Sequence, residues 1–209
     1  QDQGRGMLNE LLLGVTGDRA LEARAHYQMA QLDLNNKNYV DAVERYSLVL
    51  DEYPESDVIR DARYGRALAQ HWTGRYDRAL ADYKWLLDQR LPSSMKIKVE
   101  FSMALSYSAQ GSDAEAESLL NRVIESGDES LVRSARLQLI AMAEKRDPGD
   151  AVRIYEEMLA GVSSSEDKER LLIRLANAYF RLDQFQQSIK AAQRLIDLAV
   201  NQESIANAL

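Results

Sequence analysis

The chain has 209 residues, 45% of them hydrophobic and 28% charged, enough for a packed core and a well-solvated surface. Lys and Arg number 26 against 33 Asp and Glu, and the net charge of −7 argues against a nucleic-acid interface, which needs clustered bases. Cys is absent, which excludes disulfides and thiolate metal sites, and no apolar run approaches the roughly 18 residues of a membrane span.

Residues 1–6 are a polar, glycine-containing tail. Met7 to Leu13 is apolar and ends at Gly14. It reads as a short helix covering the open end of the first repeat, as the tail of an earlier repeat, or as a signal-peptide core lacking its basic flank. Residues 1–20 are set apart on this basis as tail and capping helix. From residue 21 amphipathic helices come in pairs. Polar and glycine breaks part the helices at Asn35 to Asn38, Thr73 to Arg75 and Gln110 to Ser112. Ser112 followed by Glu115 has capping-box spacing. Arg146-Asp147-Pro148-Gly149 takes the place of the fourth break, and the register of the helix before it is open by one residue. Ser163 to Ser165, ahead of Glu166 and Asp167, reads as a loop and a helix start. Residues 200–209 form a last segment, in which Ser204 to Leu209 begins a further helix, either a cap or the start of a continuation.

The pairs repeat. Ala42, Ala79, Ala116, Ala151 and Ser188 are small and stand 37, 37, 35 and 37 residues apart. Four residues later come Tyr46, Tyr83, Leu120, Tyr155 and Ala192, and seven later Val49, Leu86, Val123, Met158 and Leu195. Twelve residues earlier stand Ala30, Ala67, Ala104, Leu139 and Ala176. Small residues facing each other let two helices approach closely. A large residue four positions on lies on the same face and fills the gap to the next pair.

Tyr39, Ala42, Tyr46 and Pro54, then Gly74, Tyr76, Ala79 and Tyr83, resemble the tetratricopeptide repeat motif, and the resemblance covers about residues 21–199. It implies an all-α, right-handed solenoid of five helix-turn-helix repeats that binds proteins. The period exceeds the family's usual ~34 residues, with the extra residues expected between the second helix of one repeat and the first of the next. A long period with Tyr53-Pro54-Glu55-Ser56 at a junction is similar to the branch found in bacterial cell-envelope proteins. That resemblance favours the periplasm or envelope over the cytoplasm.

Catalytic material is scarce. His26 and His71 lie in different repeats, with no local set of three or four metal ligands around either. Phosphate-cradling glycine motifs are absent, and the serines of 163–165 have no base beside them. The expectation is a non-enzyme without metal or cofactor.

The resemblance places the first helix of each repeat, helix A, along the concave side, with motif positions two, five, nine and twelve facing the groove. Position two reads Arg24, Asp61, Lys98, Arg133 and Arg170; position five Tyr27, Tyr64, Phe101, Arg136 and Ile173; position nine Gln31, Leu68, Leu105, Ile140 and Asn177. His71, Trp72 and Phe180 stand near the inner ends of their helices. The expected partner is an extended or helical protein segment with apolar anchors and some acidic character. Groove-lining candidates are Arg24, Tyr27, Gln31, Tyr64, Leu68, His71, Trp72, Lys98, Phe101, Leu105, Arg170, Arg174 and Asn177. Against this, the aromatics at position five also suit plain packing. The carboxylate clamp known in some family members is missing, because Gln31, Gly65 and Ser102 stand where it needs Asn, Asn and a base. Arg170, Arg174 and Asn177 share one face as an anion site, with Leu137 opposite.

Three functions fit this reading: an interaction scaffold, a non-catalytic regulatory or substrate-presenting module of a larger protein such as an envelope protease, and self-assembly through the ends. Contacts for the last are Met7, Leu8, Leu11 and Leu12 at one end and Ile205 and Leu209 at the other.

Overall fold

The computed structural model describes residues 17–162 and 164–208, with side chains for all of these except Pro148 and residues 201–208. The described residues form ten α-helices and no strand. They are α1 (Arg19–Asn35), α2 (Tyr39–Glu52), α3 (Ile59–Trp72), α4 (Tyr76–Leu87), α5 (Ser93–Gln110), α6 (Asp113–Glu125), α7 (Glu129–Arg146), α8 (Pro148–Gly161), α9 (Ser165–Arg181) and α10 (Phe185–Ala208). The chain divides after Ser126 into two compact units, α1–α6 and α7–α10. The first unit is a stack of three hairpins and the second a stack of two, so all five expected repeats are present. The expected N-terminal helix at Met7 to Leu13, the end contacts there, Ser163, Leu209 and the Ile205 side chain lie outside the described residues.

Helix starts follow their caps. Asp18 accepts from the backbone N–H of Ala20 and Leu21 at 3.0 and 3.1 Å, and Asp128 from that of Leu131 at 3.2 Å. Ser164 caps α9 through Asp167, as the loop reading of the serine run expects. Ser112 precedes α6, but its side chain makes no capping bond, so the expected capping box is not formed. Four of the five turns within repeats close alike. A residue five before the small position takes a left-handed conformation: Lys37 (φ 62°), Gly74 (73°), Gly111 (86°) and Asp183 (57°). The next N–H then reaches back five residues, as from Asn38 to Asp33 O and from Arg75 to Gln70 O, both at 2.8 Å.

The fourth turn departs. Asp147 alone joins α7 to α8, and Pro148, with no N–H to lose, opens the helix. The turn is one residue shorter, and this resolves the open register. The buried residues Ala135, Leu139, Ile140 and Ala143 of α7 superpose on Ala25, Met29, Ala30 and Asp33 of α1 only when Ile140 matches Ala30. Motif positions two, five and nine of this repeat are therefore Ser134, Leu137 and Ala141, not Arg133, Arg136 and Ile140. Bases at position two number three of five.

The long period has the expected source in its first two steps and a different one later. Linkers 53–58 and 88–92 do hold extra residues. The later linkers, 126–128 and 162–164, are short, while α5 and α7 lengthen to 18 residues. At the other end, α10 runs unbroken through Val200 to Ala208, so Ser204 lies inside a helix rather than starting one.

Packing follows the repeat. Ala30, Ala42, Ala67, Ala79, Ala104, Ala116 and Ala151 are wholly buried, as are Tyr46, Tyr83, Leu120 and Tyr155. In the first unit Tyr46 lies against Gly65 of the next repeat so closely that an added Cβ would stand 2.3 Å from its Cζ. Polar clasps also tie the hairpins. Asp33, 1% exposed, accepts from Arg45 Nε at 2.8 Å. Asp82 accepts from Arg66 twice at 2.8 Å and from Arg63 at 3.1 Å. Tyr155 donates to Glu144 at 2.5 Å, and Ser188, replacing the usual Ala, donates to Ala176 O at 2.8 Å. Buried acids paired with arginine fix geometry more than they add stability.

Candidate functional site

In the first unit the A helices α1, α3 and α5 carry ten of the expected groove residues. The rings at position five are half-buried rather than free. Tyr27 packs on Tyr46 and Tyr64 on Tyr83, each with centroids 6.1 Å apart, and Phe101 is likewise half-buried. The Tyr64 hydroxyl and Ser102 Oγ are hydrogen-bonded at 2.9 Å, and burial pushes the phenol above the ordinary tyrosine range. Gln31, Leu68 and Leu105 are partly exposed beside them.

The exposed feature of this unit is Trp72, at 61%. Its indole stacks on Tyr39 at 5.8 Å and 14° and meets the edge of His71 at 5.3 Å. His71 is fixed in turn by a 2.9 Å hydrogen bond between Nδ1 and Ser106 Oγ and by Tyr76 at 5.6 Å. Burial lowers the His71 pKa below its usual value. An exposed indole held by two rings costs little ordering entropy when a partner lands on it. Tyr39 and Ser106 were not legible as parts of this arrangement, since each reads as an ordinary repeat residue.

The bases differ in what they offer. Arg24 Nη2 sits 2.6 Å from Asp57, and that hydrogen bond holds the Asp57 carboxyl below the usual range. Lys98 is exposed and makes no ion pair among the described residues.

In the second unit Arg170, Arg174 and Asn177 share an exposed face of α9, as expected. Arg170 is bound to Glu166 at 2.5 Å. A cavity of about 870 Å³ lies between α7, the end of α8 and α9. It brings together Arg133, Arg136, Arg170 and Arg174 over Ile140, Met158 and Leu171. The linear sequence hides this grouping, because the expected register gives Arg133 and Arg136 groove positions. Among the described residues no three His, Asp or Glu converge as metal ligands, and no helix is long and apolar enough to cross a membrane.

Residues 24–56 and 171–199 match the family model of the tetratricopeptide repeat. No curated protein matches the chain by sequence. The fold is similar to that of a tetratricopeptide repeat protein from Parabacteroides merdae, at 16% identity and a TM-score of 0.63, covering 91% of this chain and 70% of that one. It is similar to the C-terminal part of a TPR repeat-containing protein from Cytophaga hutchinsonii, at 15% identity and 0.65, covering 82% and 64%. BtubC from P. vanneervenii matches at 16% identity and 0.61, covering 95% and 87%. Identities this low speak for the fold alone. Two of the five repeats thus carry the tetratricopeptide sequence pattern, and all five build the hairpin of the tetratricopeptide repeat fold.

Proposed function

We propose that this chain is a non-catalytic scaffold that binds a segment of a partner protein along the A helices of its first unit. Tetratricopeptide repeats generally mediate protein–protein interaction. The observation that carries the finer reading is Trp72, exposed yet braced by Tyr39 and His71. Leu68, Leu105 and Lys98 extend the surface beside it with apolar and basic character, which suits a segment with apolar anchors and some acid. The test is affinity capture with wild type beside Trp72→Ala, followed by calorimetry with the purified captured protein. Retention by wild type and loss by the variant support the reading. Equal binding by both removes the indole from the interface.

A second reading, self-association, is favoured by α10. Phe185, Ile189, Ile196 and Val200 are 50–68% exposed on this helix. Their spacing puts them on one face. Light scattering over a concentration series tests it, and a constant monomer mass sinks it. The repeat style supports a setting in the bacterial periplasm or envelope, to be tested by fractionating cells that express the tagged chain.

A further inference from the structure

We infer that the cavity between α7 and α9 binds an aromatic side chain flanked by carboxylates on a protein partner. This rests on the scaffold reading but concerns a different surface.

In repeat one the corresponding place is filled by the chain itself. Tyr53, eleven residues after Ala42, lays its ring over the first half of α1. It lies 6.0 Å from the His26 ring and beneath the Arg19 guanidinium at 5.2 Å, and its hydroxyl donates to Glu22 at 3.1 Å. In repeat four the residue eleven after Ala151 is Val162, and the register established by burial puts Arg136 where His26 stands. The plugging ring is missing and a guanidinium has replaced the imidazole. The space left is the ≈ 870 Å³ cavity, ample for an aromatic side chain.

Its walls state the rest of the ligand's chemistry. Leu137, Ile140, Met158 and Leu171 supply apolar surface. Four arginines meet two carboxylates in the lining, Glu129 and Asp167, and with Glu166 beside Arg170 the local charge is +1 in a chain of net −7. Asp167 is engaged by Arg133, and Arg170 by Glu166. Arg136 and Arg174 form no ion pair with any carboxylate among the described residues. The Arg136 guanidinium lies beside Gly161, where the end of α8 leaves the cavity open. A guanidinium takes a carboxylate through two parallel hydrogen bonds and also stacks on a ring face. An aromatic residue between acidic neighbours satisfies both modes and the apolar floor at once.

The test uses the full chain and fluorescein-labelled heptapeptide pools with Tyr or Phe at the centre, Asp or Glu on both sides and random residues elsewhere. Control pools carry Ala at the centre, or Lys on both sides. Polarisation should rise with the acidic aromatic pool, fall with added salt, and stay low with both controls. Arg136→Gln combined with Arg174→Gln should weaken binding by at least about tenfold. Val162→Tyr should block binding by restoring the plug while removing no charge, so that it decides the matter even if the arginine pair destabilises the unit. Trp72→Ala should leave pool binding unchanged. Equal binding of the control pools, or undiminished binding by Val162→Tyr, overturns the inference. Loss of pool binding alongside intact Trp72-dependent capture defeats this site alone, and the converse result defeats only the groove reading.

Discussion

Gly65→Ala separates two effects of opposite sign in the first unit. Gly65 lies within α3, where alanine is the better helix former by about 0.8–1 kcal/mol. Considered locally, the substitution stabilises. Its Cβ, however, would stand 2.3, 2.6 and 2.7 Å from Cζ, the hydroxyl oxygen and Cε1 of Tyr46. Non-bonded carbons prefer about 3.5–4.0 Å, so the overlap exceeds an ångström. Tyr46 is 0% exposed, tilted against Tyr27 and close-packed, and cannot swing aside. Overpacking of this kind costs roughly 1–3 kcal/mol. The expected net effect is destabilisation of up to about 2 kcal/mol. Urea denaturation followed by tryptophan fluorescence measures it cleanly, because both tryptophans, Trp72 and Trp85, belong to the first unit. Repeating the substitution in a Tyr46→Leu background removes the clash and leaves the helix term, so there Gly65→Ala should stabilise by up to about 1 kcal/mol. The same sign in both backgrounds would refute the packing argument.

Asp82→Ala should cost about 3 kcal/mol in the same assay, because it strands Arg63 and Arg66, whose side chains are only 22% and 18% exposed; a loss below about 1 kcal/mol would show that water replaces the carboxylate. Lys37→Gly should stabilise by up to about 1 kcal/mol, since Lys37 sits at φ 62° where Gly74 and Gly111 serve in the next repeats, and a melt showing destabilisation would contradict it. Burial lowers the pKa of both His26 and His71, so the unfolded chain binds more protons than the folded one near the ordinary value of 6.5. Their contribution is therefore complete above that pH and is lost as pH falls through it towards the depressed folded values. First-unit stability should decline over that window, less steeply in His71→Gln, and a flat profile would sink the argument.

Much of the fold was legible because helix packing demands local chemistry. Close approach of two helices favours small residues, so Ala30 and Ala42, with their successors, marked both helices in every repeat but the fourth, where Ile140 takes the place of Ala30. The gap between hairpins admits one large side chain, and Tyr46, Tyr83 and Tyr155 supplied it. Helix ends were less legible. Lys37 and Asp183 do the work of glycine without looking like it, and the Ser112–Glu115 spacing promised a cap that does not form. The groove was only half legible: Tyr27, Tyr64 and Phe101 lie where the motif puts them, but burial makes them partly core.

The amino-acid sequence by itself determined the repeat, its five copies, the all-α class and the likeness to the tetratricopeptide motif, because each rests on residues a fixed number of positions apart along one chain. Tertiary structure alone decided the register of α7, the clasps at Asp33 and Asp82, the bracing of Trp72 and the arginine-lined cavity. Each of these depends on which side chains distant in sequence meet, and on whether a space is filled. A single shorter turn at Asp147 takes Arg136 out of the expected groove position, and both Arg136 and Val162 line the cavity. Periodicity reports spacing along the chain; it carries no record of volume left unoccupied between helices.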